Sequence, residues 1–77
     1  MGEGGAAVPK GRVENAIRQL RTERGLTQQA LADAVGATRQ TIVAVEAGKY
    51  APSLELAFRI SRAFGRPFEE VWRFRPE

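Results

Sequence analysis

Apolar side chains between Thr27 and Gly48 recur at helical spacing, first Leu31, Ala32 and Val35 at i, i+1 and i+4, then Ile42 and Val45 at i and i+3. Each set marks one narrow stripe, so two short helices are expected. Thr27 and Thr38 stand where a hydroxyl can cap a helix start. Gly36 follows the first stripe and Gly48 the second, where a chain leaving a helix often takes positive φ. The stretch reads as helix, tight turn, helix.

The flanks extend the pattern. Val13, Ala16, Ile17 and Leu20 fall at i, i+3, i+4 and i+7, which predicts a first helix from about Arg12 to Arg24. Glu14 and Arg18 form an i, i+4 pair in the favoured order on it. Gly25 ends this helix and Leu26 drops into the core. Past the loop at Lys49 to Pro52, Ser53 signals a new start. Leu54, Ala57, Ile60, Ser61 and Phe64 share one face of a helix that Gly65 stops. Pro67 opens a last short helix with Glu69 and Glu70 in its first turn, and Phe68, Val71 and Trp72 cover the end of the bundle. Gly25, Gly36, Gly48 and Gly65 each follow a predicted helix, and this agreement argues for an all-α chain of five helices. Residues 1–11 are glycine-bearing and without apolar period; they read as a flexible tail, with 12–77 as the one domain. Lys10 and Arg12 are either solvated charges or a small arm reaching toward phosphates.

Composition narrows the function. At 77 residues, 43% apolar and 27% charged, the chain describes one small globular core. Such a core yields only ~3–5 kcal/mol, and without cysteine the help must come from packing, caps or a partner subunit. The longest apolar run, Ile42 to Val45, is far short of the ~20 residues a membrane span needs. No signal-peptide pattern opens the chain, so no membrane association and a cytoplasmic location are expected. Net charge is +3, with the basic residues mostly Arg, whose rigid fork suits phosphate and guanine. There is no His or Cys and no paired carboxylate beside a nucleophile, which argues against an enzyme, a metal or a cofactor.

With Ile42 and Val45 turned inward, the second helix of the pair presents Arg39, Gln40, Val43 and Ala44 outward, with Thr41 at the edge and no acid before Glu46. A forked donor, an amide and small side chains suit base-pair edges: Arg pairs with guanine, Gln with adenine, and small apolar groups meet thymine methyls. The competing reading is an ordinary solvated face. Glu46 lies in the last turn, where the dipole disfavours an anion, so a cationic partner is expected. Arg21, one position past Leu20 on the first helix, is within reach, and an Arg21–Glu46 bridge would tie the two helices together. The alternative is an unpaired surface acid.

The run LTQQALADAVGATRQTIVAVEAGKYAPSLELAFRISRAFG resembles the Cro and phage-repressor family of helix-turn-helix regulators, over about Val13 to Trp72. The resemblance rests on Leu-Thr-Gln before the second helix, Gly36 in the turn, Glu46-x-Gly48-Lys49 after the third, and Pro52-Ser53-Leu54 opening the fourth. It implies a five-helix, lambda-repressor-like bundle that binds operator DNA as a two-fold dimer. By position, Gln28 matches a family residue that contacts a phosphate and buttresses the recognition helix. Arg39, Gln40 and Ala44 match base-reading positions, and Thr38 and Thr41 adjoin them. Ala47, Lys49 and Tyr50 match a loop lying on the DNA backbone, and Arg21 and Glu46 match a pair that the family commonly bridges. Two departures stand out: Ala44 replaces a frequent polar reader, and Ala47 a frequent Asn.

The function expected is a sequence-specific transcriptional regulator, a repressor on a palindromic operator, with helix 38–47 in the major groove and Thr27, Gln28, Lys49 and Tyr50 on phosphates. Double-stranded DNA and a second copy of the chain are the expected partners. With no effector domain after the bundle, no small-molecule effector is expected. Phe58, Trp72 and Phe74 are aromatics left over by the helical stripes and mark a candidate dimer surface, unless they finish the core. The rival reading is a protein-interaction module, antitoxin-like, that uses the same fold for docking.

Overall fold

The computed structural model describes residues 7–77. In chain order it places strand β1 at Gly11–Asn15, α1 at Ile17–Arg24, α2 at Gln28–Val35, α3 at Arg39–Glu46, α4 at Leu54–Phe64, α5 at Phe68–Val71 and strand β2 at Trp72–Pro76. Helices α2 to α5 sit where punctuation and period put them, and each of α2, α3 and α4 starts on its side-chain cap: Thr27 accepts from Ala30 N, Thr38 from Thr41 N and Ser53 from Leu56 N.

The all-α expectation is corrected by the ribbon that β1 and β2 form, an antiparallel pair running from Gly11 opposite Pro76 to Asn15 opposite Trp72. The first helix accordingly starts at Ile17, not near Arg12. Asn15 sets that boundary: its Oδ1 accepts from Ile17 N at 3.1 Å, the local bond by which Asn stops an extended segment and opens a helix. Ala16 N then donates to Val71 O at 2.9 Å, holding the junction against α5. Val13, assigned inward on a helix, is instead an exposed strand residue opposite Phe74. Glu14 does not meet Arg18; Arg75 of β2 donates to it at 2.9 Å. Of the expected tail, residues 1–6 lie outside the described part, and Gly11 belongs to the ribbon. The folded domain thus begins ahead of residue 12.

The core is a single cluster. Ile17 and Leu20 of α1, Leu31, Ala32 and Val35 of α2, Ile42 and Val45 of α3, Ala57, Ile60 and Phe64 of α4, and Val71 and Trp72 meet in it. Each large side chain taken fully from water stabilises by about 1.5–3 kcal/mol before entropy is counted. Leu54, the first member of the α4 stripe and the first residue of the helix, stays exposed. Ser61 is buried among these residues and donates to Ala57 O at 3.1 Å.

Candidate nucleic-acid interface

Helices α2 and α3 pack on each other through the two stripes, and the turn between them is built by Gly36. Its φ of 71° is a conformation that side chains other than glycine rarely adopt, and the following Ala37 N donates to Ala32 O at 3.0 Å. Gly48, at φ 74°, ends α3 the same way, with Lys49 N donating to Ala44 O at 3.0 Å. Lys49 and Tyr50 are thereby held exposed in the loop beyond α3.

Three contacts fix the orientation of this unit. Arg21 grips Glu46 with both branches of its fork, Nε to Oε1 at 2.9 Å and Nη2 to Oε2 at 2.8 Å, while Nη1 donates to Leu26 O at 2.9 Å. Only 14% and 9% of the two side chains remain exposed, so this pair is far less screened than a surface one. The hydrogen bonds that Arg21 donates to Glu46 raise the guanidinium pKa above its ordinary value, against the opposing effect of burial. Asn15 Nδ2 donates to Val45 O at 2.9 Å, a carbonyl that also accepts from Gly48 N at 3.0 Å, and so ties β1 to the end of α3. Arg59 of α4 does the same for α2, donating from Nη1 to Val35 O at 3.3 Å. Asn15 and Arg59 were not among the residues expected at the site. Asn15 carries a signal, an Asn just ahead of an apolar stripe, but the periodicity through Val13 masks it.

The outward face of α3 is left open by these contacts. Arg39, Gln40 and Val43 are exposed, and Thr41 and Ala44 half-buried beside them. Among the described residues neither Arg39 nor Lys49 enters an ion pair. The threonines carry a local duty: Thr38 Oγ1 caps α3 and lies 2.9 Å from Thr41 Oγ1, and Thr27 Oγ1 accepts from Ala30 N at 3.0 Å. Gln28 opens α2, half-buried, at the same end of the motif. The aromatic set divides. Phe58 and Phe74 are 49% and 51% exposed. Trp72, expected with them at the surface, is only 5% exposed: its ring completes the core and its Nε1 donates to Ala57 O and Ser61 Oγ, each at 3.1 Å. A buried indole with a satisfied N–H offers no surface to a partner. Phe58 stacks against Phe68 with ring centres 4.9 Å apart.

A short capped helix behind a glycine turn, with a polar, acid-free outer face, defines the helix-turn-helix class of DNA-binding domain. Residues 17–71 match the family model described as Helix-turn-helix. A transcriptional regulator of the same type from Methanothermobacter thermautotrophicus is 64% identical over 50 residues, covering 65% of this chain and 72% of the relative. The cryptic phage CTXphi transcriptional repressor RstR of Vibrio cholerae is 36% identical over 55 residues, 71% of this chain and 50% of that one. Among solved structures, the restriction-modification controller protein C.AhdI from Aeromonas hydrophila superposes with a TM-score of 0.66 at 33% identity, covering 70% of this chain and 82% of its own. The chain belongs to the helix-turn-helix family of Cro and phage-repressor type, a family of DNA-binding transcriptional regulators and not of enzymes. Among the described residues no helix is long and apolar enough to cross a membrane.

Proposed function

We propose that this regulator acts as a repressor, binding a palindromic operator as a dimer with α3 of each copy in the major groove. The observation that carries the reading is the open face of α3, with Arg39 and Gln40 exposed on a helix pinned at its far end by Arg21 and Asn15. A reader held this way loses little conformational freedom when it docks. Arg39 takes guanine O6 and N7, Gln40 takes adenine N6 and N7, and Val43 and Ala44 meet thymine methyls. Thr27, Gln28, Thr38 and Thr41, at the amino-terminal ends of the two helices, with Lys49 and Tyr50 in the loop, hold phosphates and set register. Leu54, Phe58 and Phe74 are the exposed apolar side chains from which the dimer is built, Leu54 and Phe58 one helical turn apart on α4. A symmetric pair places the two α3 helices about 34 Å apart, one turn of B-DNA. The name of RstR, a repressor, supports the regulatory sign.

Selection of bound duplexes from a random pool should return a two-fold-symmetric site. Arg39→Ala should cost roughly 1–3 kcal/mol on that site and relax the preference at one base pair. Selected sites that are unchanged by Arg39→Ala would refute the assignment of the reader. Phe58→Glu should shift sedimentation from dimer to monomer, and an unchanged dimer excludes that surface.

A further inference from the structure

Strand β1 brings Arg12 beside the proposed DNA contact. Asn15 ties the strand to Val45, and between β1 and the end of α3 lies an open cleft of about 410 Å³ lined by Arg12, Glu14, Glu46, Ala47 and Gly48 among others. Lys49 is the next residue after Gly48. Both carboxylates in the cleft are already engaged, Glu46 by Arg21 at 2.8 Å and Glu14 by Arg75 at 2.9 Å. Arg12 reaches Glu14 only at 3.6 Å, and 74% of its side chain is exposed. One exposed carboxylate shared by two guanidinium groups leaves a positive surplus. A solvent-facing contact of that kind is weak and readily exchanged for a phosphate. The backbone that carries these cations is held on both sides: Arg12 lies opposite Arg75 in the ribbon, and Glu77 N donates to Lys10 O at 2.9 Å.

We infer that β1 is a second DNA-backbone contact, in which Arg12, with Lys10 behind it, takes a phosphate next to the one met by Lys49. The inference rests on the reading of the α3 face as the DNA-binding surface. The ribbon turns what the sequence leaves as a tail into a fixed rail, so its cations meet the duplex without first having to be ordered. Each phosphate neutralised releases counterions, which makes salt dependence the direct readout.

The probe is a mixed-sequence duplex several helical turns long, titrated with the full chain across a salt series. Arg12→Ala should lower the slope of log K against log salt by about one and weaken binding several-fold, while Arg12→Lys keeps the slope. Glu14→Gln, which removes the acid competing for Arg12, should tighten binding. Lys49→Ala supplies the comparison, with its own loss of about one in slope. A wild-type slope for Arg12→Ala beside a reduced slope for Lys49→Ala overturns the ribbon contact and leaves the α3 reading intact. A wild-type chain that binds no duplex overturns both.

Discussion

Replacing Glu46 with Gln keeps the shape of the side chain and deletes its charge. Arg21 now donates at 2.9 and 2.8 Å to the two carboxylate oxygens, in a site where 14% and 9% of the partners' side chains are exposed. An amide accepts one of these bonds and turns an NH2 toward a guanidinium that can only donate. Arg21 keeps its bond to Leu26 O but is left a part-buried cation without a counter-charge. Removing one partner of a buried pair costs about 3–5 kcal/mol, and breaking an exposed one ~0–1. The small residual exposure sets this pair near the lower end of the buried range, about 3 kcal/mol. In a domain of this length 1 kcal/mol moves the melting midpoint by about 4–8 °C, so a fall of roughly 12–24 °C is expected. The Arg21 pKa is raised in the fold, first by its hydrogen bonds to Glu46. A raised cationic pKa stabilises at every pH below the ordinary arginine value and is lost only in strong alkali, so on the arginine side the deficit stays level across the neutral range. Thermal unfolding followed by circular dichroism measures it. Glu55→Gln is the comparison, because that acid pairs with Arg59 at 3.0 Å in full view of solvent and should shift the midpoint by no more than a few degrees. Coincident melts for the two variants would refute the reasoning and mean that water screens the Arg21 pair as well.

Other variants probe the elements around it. Asn15→Ala loses both the opening bond of α1 and the tie to Val45, and should cost about 2 kcal/mol in urea unfolding, with DNA affinity falling as α3 loosens. Trp72→Phe gives up the N–H bonds to Ala57 and Ser61 and leaves unfilled volume, for roughly 1–3 kcal/mol by the same measurement. Gly11→Ala puts a methyl against the Arg75 carbonyl and within 2.7 Å of the Phe74 ring, which should fray the ribbon and speed exchange of the Glu77 amide bonded to Lys10, while the helical core keeps its protection.

The helices were legible because each is written locally. Leu31, Ala32 and Val35 repeat within one turn or so, Thr27 and Thr38 sit within three residues of the amides they cap, and Gly36 and Gly48 occupy positions that only backbone freedom explains. The open face of α3 was legible for the same reason, since naming the inward residues leaves Arg39 and Gln40 outward. Glu46, an acid at the wrong end of a helix dipole, pointed at a cation across the fold, and Arg21 is what it meets.

What the amino-acid sequence determined alone, then, was everything whose cause lies within about one turn of chain: period, caps, glycine stops and the chemistry of the exposed face. Only the tertiary structure decided the ribbon: the alternation Trp72-Arg73-Phe74-Arg75 is a strand signal in the sequence, but its partner β1 lies far away in the chain and does not alternate. The same distance hid the role of Asn15, which reads as helix until Val45 and β2 are brought beside it. It also hid the fate of Trp72, whose indole is core only because Ala57 and Ser61 of α4 stand ready to accept its N–H. Local signals act through steric and hydrogen-bond preferences of neighbouring residues, whereas these contacts exist only after the chain has closed its long loops.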